Sequence, residues 1–183
     1  MAIKDFLKKN VLVVDGAMGT QIQGRNPGAA AWGEYEGCNE WLNLTAPEII
    51  RDIHEAYFKA GSDAVETNTF GSSPITLGEY NLSARAKEIS LAAARIARSA
   101  ADEAAAADGR PRFVLGSVGP GTRLATLGQV SFDDLYGGYQ EQMGGLLEGG
   151  ADGILIETCQ DLLQIKAAVA AANQVMGKGT DKL

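Results

Sequence analysis

Cysteine and histidine are scarce in this sequence: two of the former, Cys38 and Cys159, and one of the latter, His54, among 183 residues. Two cysteines without C-x-x-C spacing are too few for a disulfide framework, which fits a reducing cytoplasm. A single histidine excludes a self-contained His-ligated zinc site. Positive charge is also short. With 16 Lys and Arg against 23 Asp and Glu, the net charge is -7 and the pI about 4.7. That balance argues against nucleic acid as a partner, because binding a polyanion draws on clustered cations that release its counterions. No apolar run reaches the roughly 18 residues that a membrane-crossing helix requires. The start, Met1 to Asn10, carries charges on both sides of its few apolar residues, unlike the core of a signal peptide. The expectation is a soluble, cytoplasmic protein that engages neither membrane nor nucleic acid.

What the sequence has is glycine, 23 residues, and an apolar fraction of 45%, enough for one globular domain over residues 1–183, or part of one. A short apolar run, a Gly-rich or polar turn and a longer helical stretch recur four times, the grammar of βα units. The strands expected are Val11 to Val14, Ala64 to Thr67, Phe113 to Gly116 and Ile154 to Ile156. All are short and mostly apolar, as strands covered on both faces are. Thr45-Ala46-Pro47-Glu48 has the pattern of a capping box with a first-turn proline, and Ile49, Ile50, Ile53 and Tyr57 follow at helical spacing up to Gly61. Further helices are expected from Ser83 to about Ala107, from Ser131 to Gly149-Gly150, and from Asp161 to Met176. Glu66-Thr67 and Glu157-Thr158 end the second and fourth strands alike, an echo that suggests barrel-like regularity. Periodicity alone leaves a (β/α)8 barrel and an open, doubly wound sheet side by side.

Polar residues gather at the carboxyl ends of the strands: Asp15, Asn68, Ser117 and Glu157. That is the edge where parallel α/β folds bind ligands. Asp15 and Glu157 together would form an anionic pocket suited to an ammonium group. Against this stand plainer readings, Asp15-Gly16 as a turn and Glu157 as a charge answering the dipole of the next helix. The small residues Gly16 to Thr20, Ala17 and Met18 among them, leave backbone N–H groups free to cup a carboxylate, but they match neither a P-loop nor G-x-G-x-x-G. Gln21 to Asn43 is too long for an ordinary connection, and reads as a cover over the site or as a decorative insertion. Cys159 and Cys38 read as packing residues, and His54 as a surface or satisfied structural residue rather than a general base.

Taken together, Val13 to Thr20, Cys38-Asn39-Glu40 with Leu42-Asn43, Ala64 to Gly71, Ser117 to Gly121 and Ile154 to Asp161 resemble the homocysteine S-methyltransferase family. The likeness runs over essentially the whole chain and is greatest to the amino-terminal, homocysteine-binding module of the cobalamin-dependent methionine synthases. The resemblance implies the amino-terminal half of a (β/α)8 TIM barrel, four parallel βα units. It implies that Asp15 and Glu157 hold the amino group of homocysteine, with Ala17, Met18, Asn68 and Ser117 shaping the carboxylate side. The family's chemistry uses zinc, held by thiolates of Gly-x-Asn-Cys and Gly-Gly-Cys-Cys motifs, and methylcobalamin carried on a separate domain. Neither cysteine motif occurs in these 183 residues, so no catalytic or metal-ligating residue is assigned and the chain alone is expected to be inactive.

The sequence ends shortly after the fourth helix, which reads as a cut before a fifth strand. Such a half barrel is expected to expose two unpaired sheet edges and apolar surface, and to seek its carboxyl-terminal half or a second copy. A non-catalytic half barrel that self-associates, or pairs with a separate carboxyl-terminal half, is the alternative reading. An independent enzyme using Asp15 and Glu157 for acid-base work is a third.

Overall fold

The apolar runs centred on Val65, Leu115 and Leu155 become three parallel strands: β1 (Ala64–Glu66), β2 (Phe113–Val118) and β3 (Gly153–Ile156). They lie in the order β1-β2-β3, with Val65 beside Val114 and Ser117 beside Leu155. The protein's structure, a computed structural model, describes residues 1–177 and 181–183. Four helices follow the expected plan: α1 (Pro47–Ala60), α2 (Ala86–Asp108), α3 (Phe132–Glu148) and α4 (Leu162–Met176). None in the described residues is long and apolar enough to cross a membrane.

Among the described residues, the segment expected as a first strand makes only one bridge, Val14 beside Ala64. Its ladder is broken by side chains. Asp63 Oδ2 accepts the Val13 N–H at 3.0 Å, and Asp15 Oδ1 accepts the Glu66 N–H at 3.0 Å, so carboxylates take places that backbone carbonyls would hold. Val11 and Val13 stand 85% and 53% exposed on a side where no described strand lies. Among the described residues the architecture is thus α/β with three parallel strands and a docked segment, rather than four complete units. The edges are also less bare than the sequence suggests. Beside β3, Leu183 donates to the Asp152 carbonyl at 3.0 Å and accepts from the Ile154 N–H at 2.8 Å, the pattern of a parallel bridge around Gly153.

Caps decide where the helices begin. Ser131 Oγ accepts the Asp134 N–H, and Asp161 Oδ1 accepts those of Leu163 and Gln164. At α1 the capping box does not form: Ala46 holds the cap position, and Thr45 Oγ1 donates to the Ala31 carbonyl at 2.7 Å. Pro47 still opens the helix, where its missing N–H costs nothing. α2 starts three residues later than expected, because Ser83–Arg85 form a 3-10 turn with Ser83 Oγ bonded to the Pro74 carbonyl.

The core lies between the sheet and α2 and α3, where Val65, Val114 and Val118 meet Ala94, Ala97, Ala101, Tyr139, Met143 and Leu146. The alanines of α2 and the glycines of α3 let the two helices approach closely. A Cβ on Gly145 would sit 2.6 Å from the Lys87 carbonyl oxygen, which the α2 backbone cannot relieve. Gly145→Ala is therefore expected to destabilise the fold by about 1–3 kcal/mol, outweighing the helix propensity gained, about 1 kcal/mol. Urea denaturation followed by circular dichroism measures the difference, and an unchanged or raised midpoint would contradict this packing.

His54 is neither a surface residue nor a satisfied one. It is fully buried on the inner face of α1 with Ile50, Ile53 and Phe58, and neither ring nitrogen has a hydrogen-bond partner among the described residues. Burial pushes its pKa down to about 4.

Candidate functional site

At the carboxyl ends of the strands lies a cavity of about 390 Å³. Its wall is built from the turn Gly16 to Gly19, from Glu66 and the residues following β1, from Ser117 of β2 and from Glu157 after β3. Asn39 and Glu40 close it from the long connection. That connection is structured: it contains the helices Gly19–Arg25, Ala29–Trp32 and Leu42–Thr45 and a 3-10 turn at Asn39–Trp41. It covers the site.

The wall is held by hydrogen bonds that the strand-end residues make with one another. Tyr57 donates to the Ala17 carbonyl at 3.0 Å, pinning the turn to α1. Asn43 Nδ2 donates to the Asn68 carbonyl at 2.8 Å, while Asn68 Nδ2 donates to the Asn39 carbonyl at 2.8 Å and to Asn43 Oδ1 at 3.2 Å. Thr69 Oγ1 donates to the Ser117 carbonyl at 2.7 Å, and Thr67 Oγ1 accepts the Ser117 N–H at 3.0 Å. Ser117 Oγ donates to Glu157 Oε1 at 2.6 Å. Thr158, just beyond, adopts φ 56, an unusual conformation for a β-branched residue, and its hydroxyl reaches Glu157 Oε2 at 3.3 Å.

The electrostatics are one-sided. Glu66 and Glu157 face the cavity, and no lysine or arginine is among its described lining residues. Asp15 stands beside them with Oδ2 buried and without a hydrogen-bond partner among the described residues. Burial is the main reason its pKa rises to about 7; the Glu66 N–H works the other way, and the charges of Glu66 and then Glu157 add to the rise. Glu66 is pushed up by burial, then by the charge of Glu157 and a hydrogen bond with it. Glu40 is raised by burial and bonded through Oε1 to the Gly71 N–H at 2.7 Å.

Of the residues expected at the site, Ala17, Met18, Asn68, Ser117 and Glu157 line the cavity, and Asp15 lies next to it, close enough for Glu157 to shift its titration. Asn68 spends its amide on Asn39 and Asn43, which makes it a brace for the covering connection. Glu66 and Glu40 were not expected. Glu66 was visible in the echo of Glu66-Thr67 and Glu157-Thr158, whereas nothing local marked Glu40.

Cys38 is buried with Leu77, Leu82 and Ile89, and burial followed by the Glu40 charge pushes its thiol up to about 12. The Cys159 thiol is also raised, chiefly by burial, and donates to the Glu157 carbonyl at 3.2 Å. Both sites disfavour the thiolate that zinc or nucleophilic chemistry requires. Among the described residues no group of three or more His, Cys, Asp or Glu is placed to hold a metal ion. The residues present do not fit a thiolate-bound zinc.

Comparison with known proteins bears on the same regions. A model of the family described as homocysteine S-methyltransferase matches residues 12–180. The methionine synthase of Mycobacterium tuberculosis (strain ATCC 25618 / H37Rv) is 49% identical over 172 residues, covering 94% of this chain and 14% of that protein. That of Mycobacterium leprae (strain TN) is 47% identical over the same length, again 94% and 14%. The chain therefore spans about 14% of the length of these relatives. Among solved structures, the homocysteine methyltransferase MmuM from Escherichia coli in its metallated form superposes with a TM-score of 0.77 at 24% identity, over 95% of this chain and 62% of that one. Its apo form gives 0.68 over 94% and 58%. At that identity the likeness is one of fold.

Proposed function

The chain belongs to the homocysteine S-methyltransferase family, and from that premise we propose that its cavity binds homocysteine, the α-ammonium group between Asp15 and Glu157. The carboxylate lies against the backbone of Ala17 and Met18, with Ser117 orienting Glu157 and Asn68 bracing the wall. One observation carries this reading: the cavity has acidic walls and no basic residue among its described lining. Carboxylates gathered in a half-buried site are stabilised by a cation, and an amino acid supplies one on a group that also presents three N–H donors.

In the full reaction the homocysteine sulfur gains a methyl group and loses a proton, giving methionine. Zinc would activate the thiol and methylcobalamin would supply the methyl group, but the residues described here fit no thiolate-bound zinc and no step is assigned through either. The part played by this chain is to bind and orient. Fixing the ammonium and carboxylate ends leaves the thiol as the free end of the substrate. Residues 1–183 are read as the amino-terminal half of a (β/α)8 barrel, acting in the cytoplasm with a cobalamin-carrying domain. Leu162, Leu163 and Val169, exposed on α4, would be covered by further barrel segments, or by a second copy in the alternative reading of a non-catalytic half barrel.

Calorimetric titration of the chain with L-homocysteine under reducing conditions is expected to show one saturable site, with N-acetyl-L-homocysteine bound at least about 30-fold more weakly. Loss of one member of a desolvated charge pair costs roughly 2–5 kcal/mol, and each 1.4 kcal/mol is tenfold. Equal binding of the acetylated compound would end the assignment of the ammonium site.

A further inference from the structure

β2 runs on to Val118 after β1 has ended. The two pair from Ala64 beside Phe113 to Glu66 beside Leu115, and the Thr67 N–H then donates to the Leu115 carbonyl at 2.9 Å. An extended chain would next offer its Thr67 carbonyl and Thr69 N–H to Ser117, two residues further along β2. Those two groups bond to each other instead, at 2.9 Å, in a three-residue turn that sends Asn68 toward Asn39 and Asn43. Threonine hydroxyls take their places. The Ser117 N–H donates to Thr67 Oγ1 at 3.0 Å, and Thr69 Oγ1 donates to the Ser117 carbonyl at 2.7 Å. Since the hydroxyl proton of Thr69 is committed there, the 2.6 Å contact between the two hydroxyls runs from Thr67 to Thr69. The circuit closes on Ser117 with every hydroxyl proton assigned. From α3, the buried Gln142 adds Nε2 donations to the Thr69 carbonyl at 2.7 Å and the Ser117 carbonyl at 3.3 Å.

We infer that Thr69 and Gln142 are positioning residues for the ammonium site: they fix the Ser117 backbone so that its hydroxyl holds Glu157 in place at the cavity. This rests on the site reading given above. Ser117 Oγ donates to Glu157 Oε1 at 2.6 Å, and that bond keeps its direction only while the Ser117 backbone cannot drift. Pairing with β3, Ser117 beside Leu155, holds one side of the residue. The hydroxyl circuit holds the other. Thr69 and Gln142 are both buried and act through Ser117. Gln142 also carries a penalty that points to this role. Its Oε1 is buried without a hydrogen-bond partner among the described residues, which destabilises a fold. The carbonyls that it serves have other donors, the Ser72 N–H at 3.0 Å for Thr69 and Thr69 Oγ1 for Ser117. Methionine in its place would fill a similar space and leave neither carbonyl bare. Packing and hydrogen-bond satisfaction therefore do not require an amide there, whereas a second hold on Ser117 does.

Calorimetric titration of the whole chain with L-homocysteine and with N-acetyl-L-homocysteine, under reducing conditions, separates positioning from bulk structure. Thr69→Val keeps the shape of the side chain and removes the hydroxyl. It should weaken L-homocysteine binding about tenfold, the scale of one hydrogen bond lost from a buried network, and leave the acetylated compound unchanged. Thr69→Ser should restore the wild-type ratio of the two affinities. Gln142→Met should lower that ratio about threefold, while its urea midpoint stays level or rises. A merely structural role does not give this combination, because lost packing lowers stability and weakens both ligands alike. Gln142→Met also serves if Thr69→Val fails to fold. Equal weakening of the two ligands, or an unchanged ratio in the folded variants, would overturn this inference and leave the ammonium site standing. Absence of L-homocysteine binding by the wild-type chain would remove that site, and the positioning role with it.

Discussion

Glu157→Gln is expected to weaken L-homocysteine binding by about two orders of magnitude. The substitution keeps the shape of the side chain and an oxygen able to accept from Ser117 Oγ, which lies 2.6 Å from Glu157 Oε1. It removes the negative charge that, in the proposed binding mode, answers the ammonium group. Truncating one side of a desolvated, hydrogen-bonded charge pair costs roughly 2–5 kcal/mol, and at 1.4 kcal/mol per tenfold that spans about 30- to several thousand-fold. Calorimetric titration of wild type and variant, with exposed Glu48→Gln as a control for net charge, gives the comparison. A loss of about threefold or less would place the ammonium elsewhere, since a distant or solvated carboxylate contributes little more than that.

Local chemistry made most of the fold legible, and the exceptions have physical causes. Ser131 and Asp161 announced the starts of α3 and α4, and Gly61, in the left-handed region at φ 112, announced the end of α1. These signals act within a few residues. Val11 to Val14 looked like a strand by composition, but whether an apolar run joins a sheet depends on what lies beside it. There the carboxylates of Asp63 and Asp15 intercept the N–H groups of Val13 and Glu66. Thr45 likewise had the composition of a cap, and lost that role to the Ala31 carbonyl from a helix within the covering connection.

The site divides along the same line. Asp15, Ser117 and Glu157 could be placed because strand ends in parallel α/β folds share one edge, and Ala17 and Met18 because small residues follow the first apolar run. Their mutual position needs the register that sets Ser117 beside Leu155, which no local pattern encodes. Glu66 stands at a strand end, where the sequence marks it only through the repeat of Glu-Thr at 157–158. Its significance comes from Glu157, 91 positions along the sequence. Glu40 depends on a bond to the Gly71 N–H across 31 residues. A side chain at its partner would displace the carboxylate: a Cβ on Gly71 would lie 2.8 Å from Glu40 Oε1.

His54 supplies the second large effect, on stability in acid. Its folded pKa of about 4 lies below the ordinary 6.5, because burial penalises the imidazolium. Between those values the unfolded chain holds one proton more than the folded chain, so the contribution is fully present above pH 6.5 and is lost as pH falls toward 4. The difference corresponds to about 3 kcal/mol at 1.36 kcal/mol per pH unit. Asp15 runs in the opposite sense: its folded pKa of about 7 exceeds the ordinary 3.8, so its protonated form favours folding increasingly as pH drops from 7 to 4. Glu66 has the same sign. The whole protein's profile is the sum, and the His54 part emerges by subtraction. Urea unfolding of wild type and His54→Leu at intervals from pH 7.5 to 4 should show the variant gaining about 3 kcal/mol relative to wild type across that span. The carboxylates, common to both, cancel. A difference that stays constant with pH would mean that the imidazole is protonated within the fold, and that an acceptor reaches one of its nitrogens.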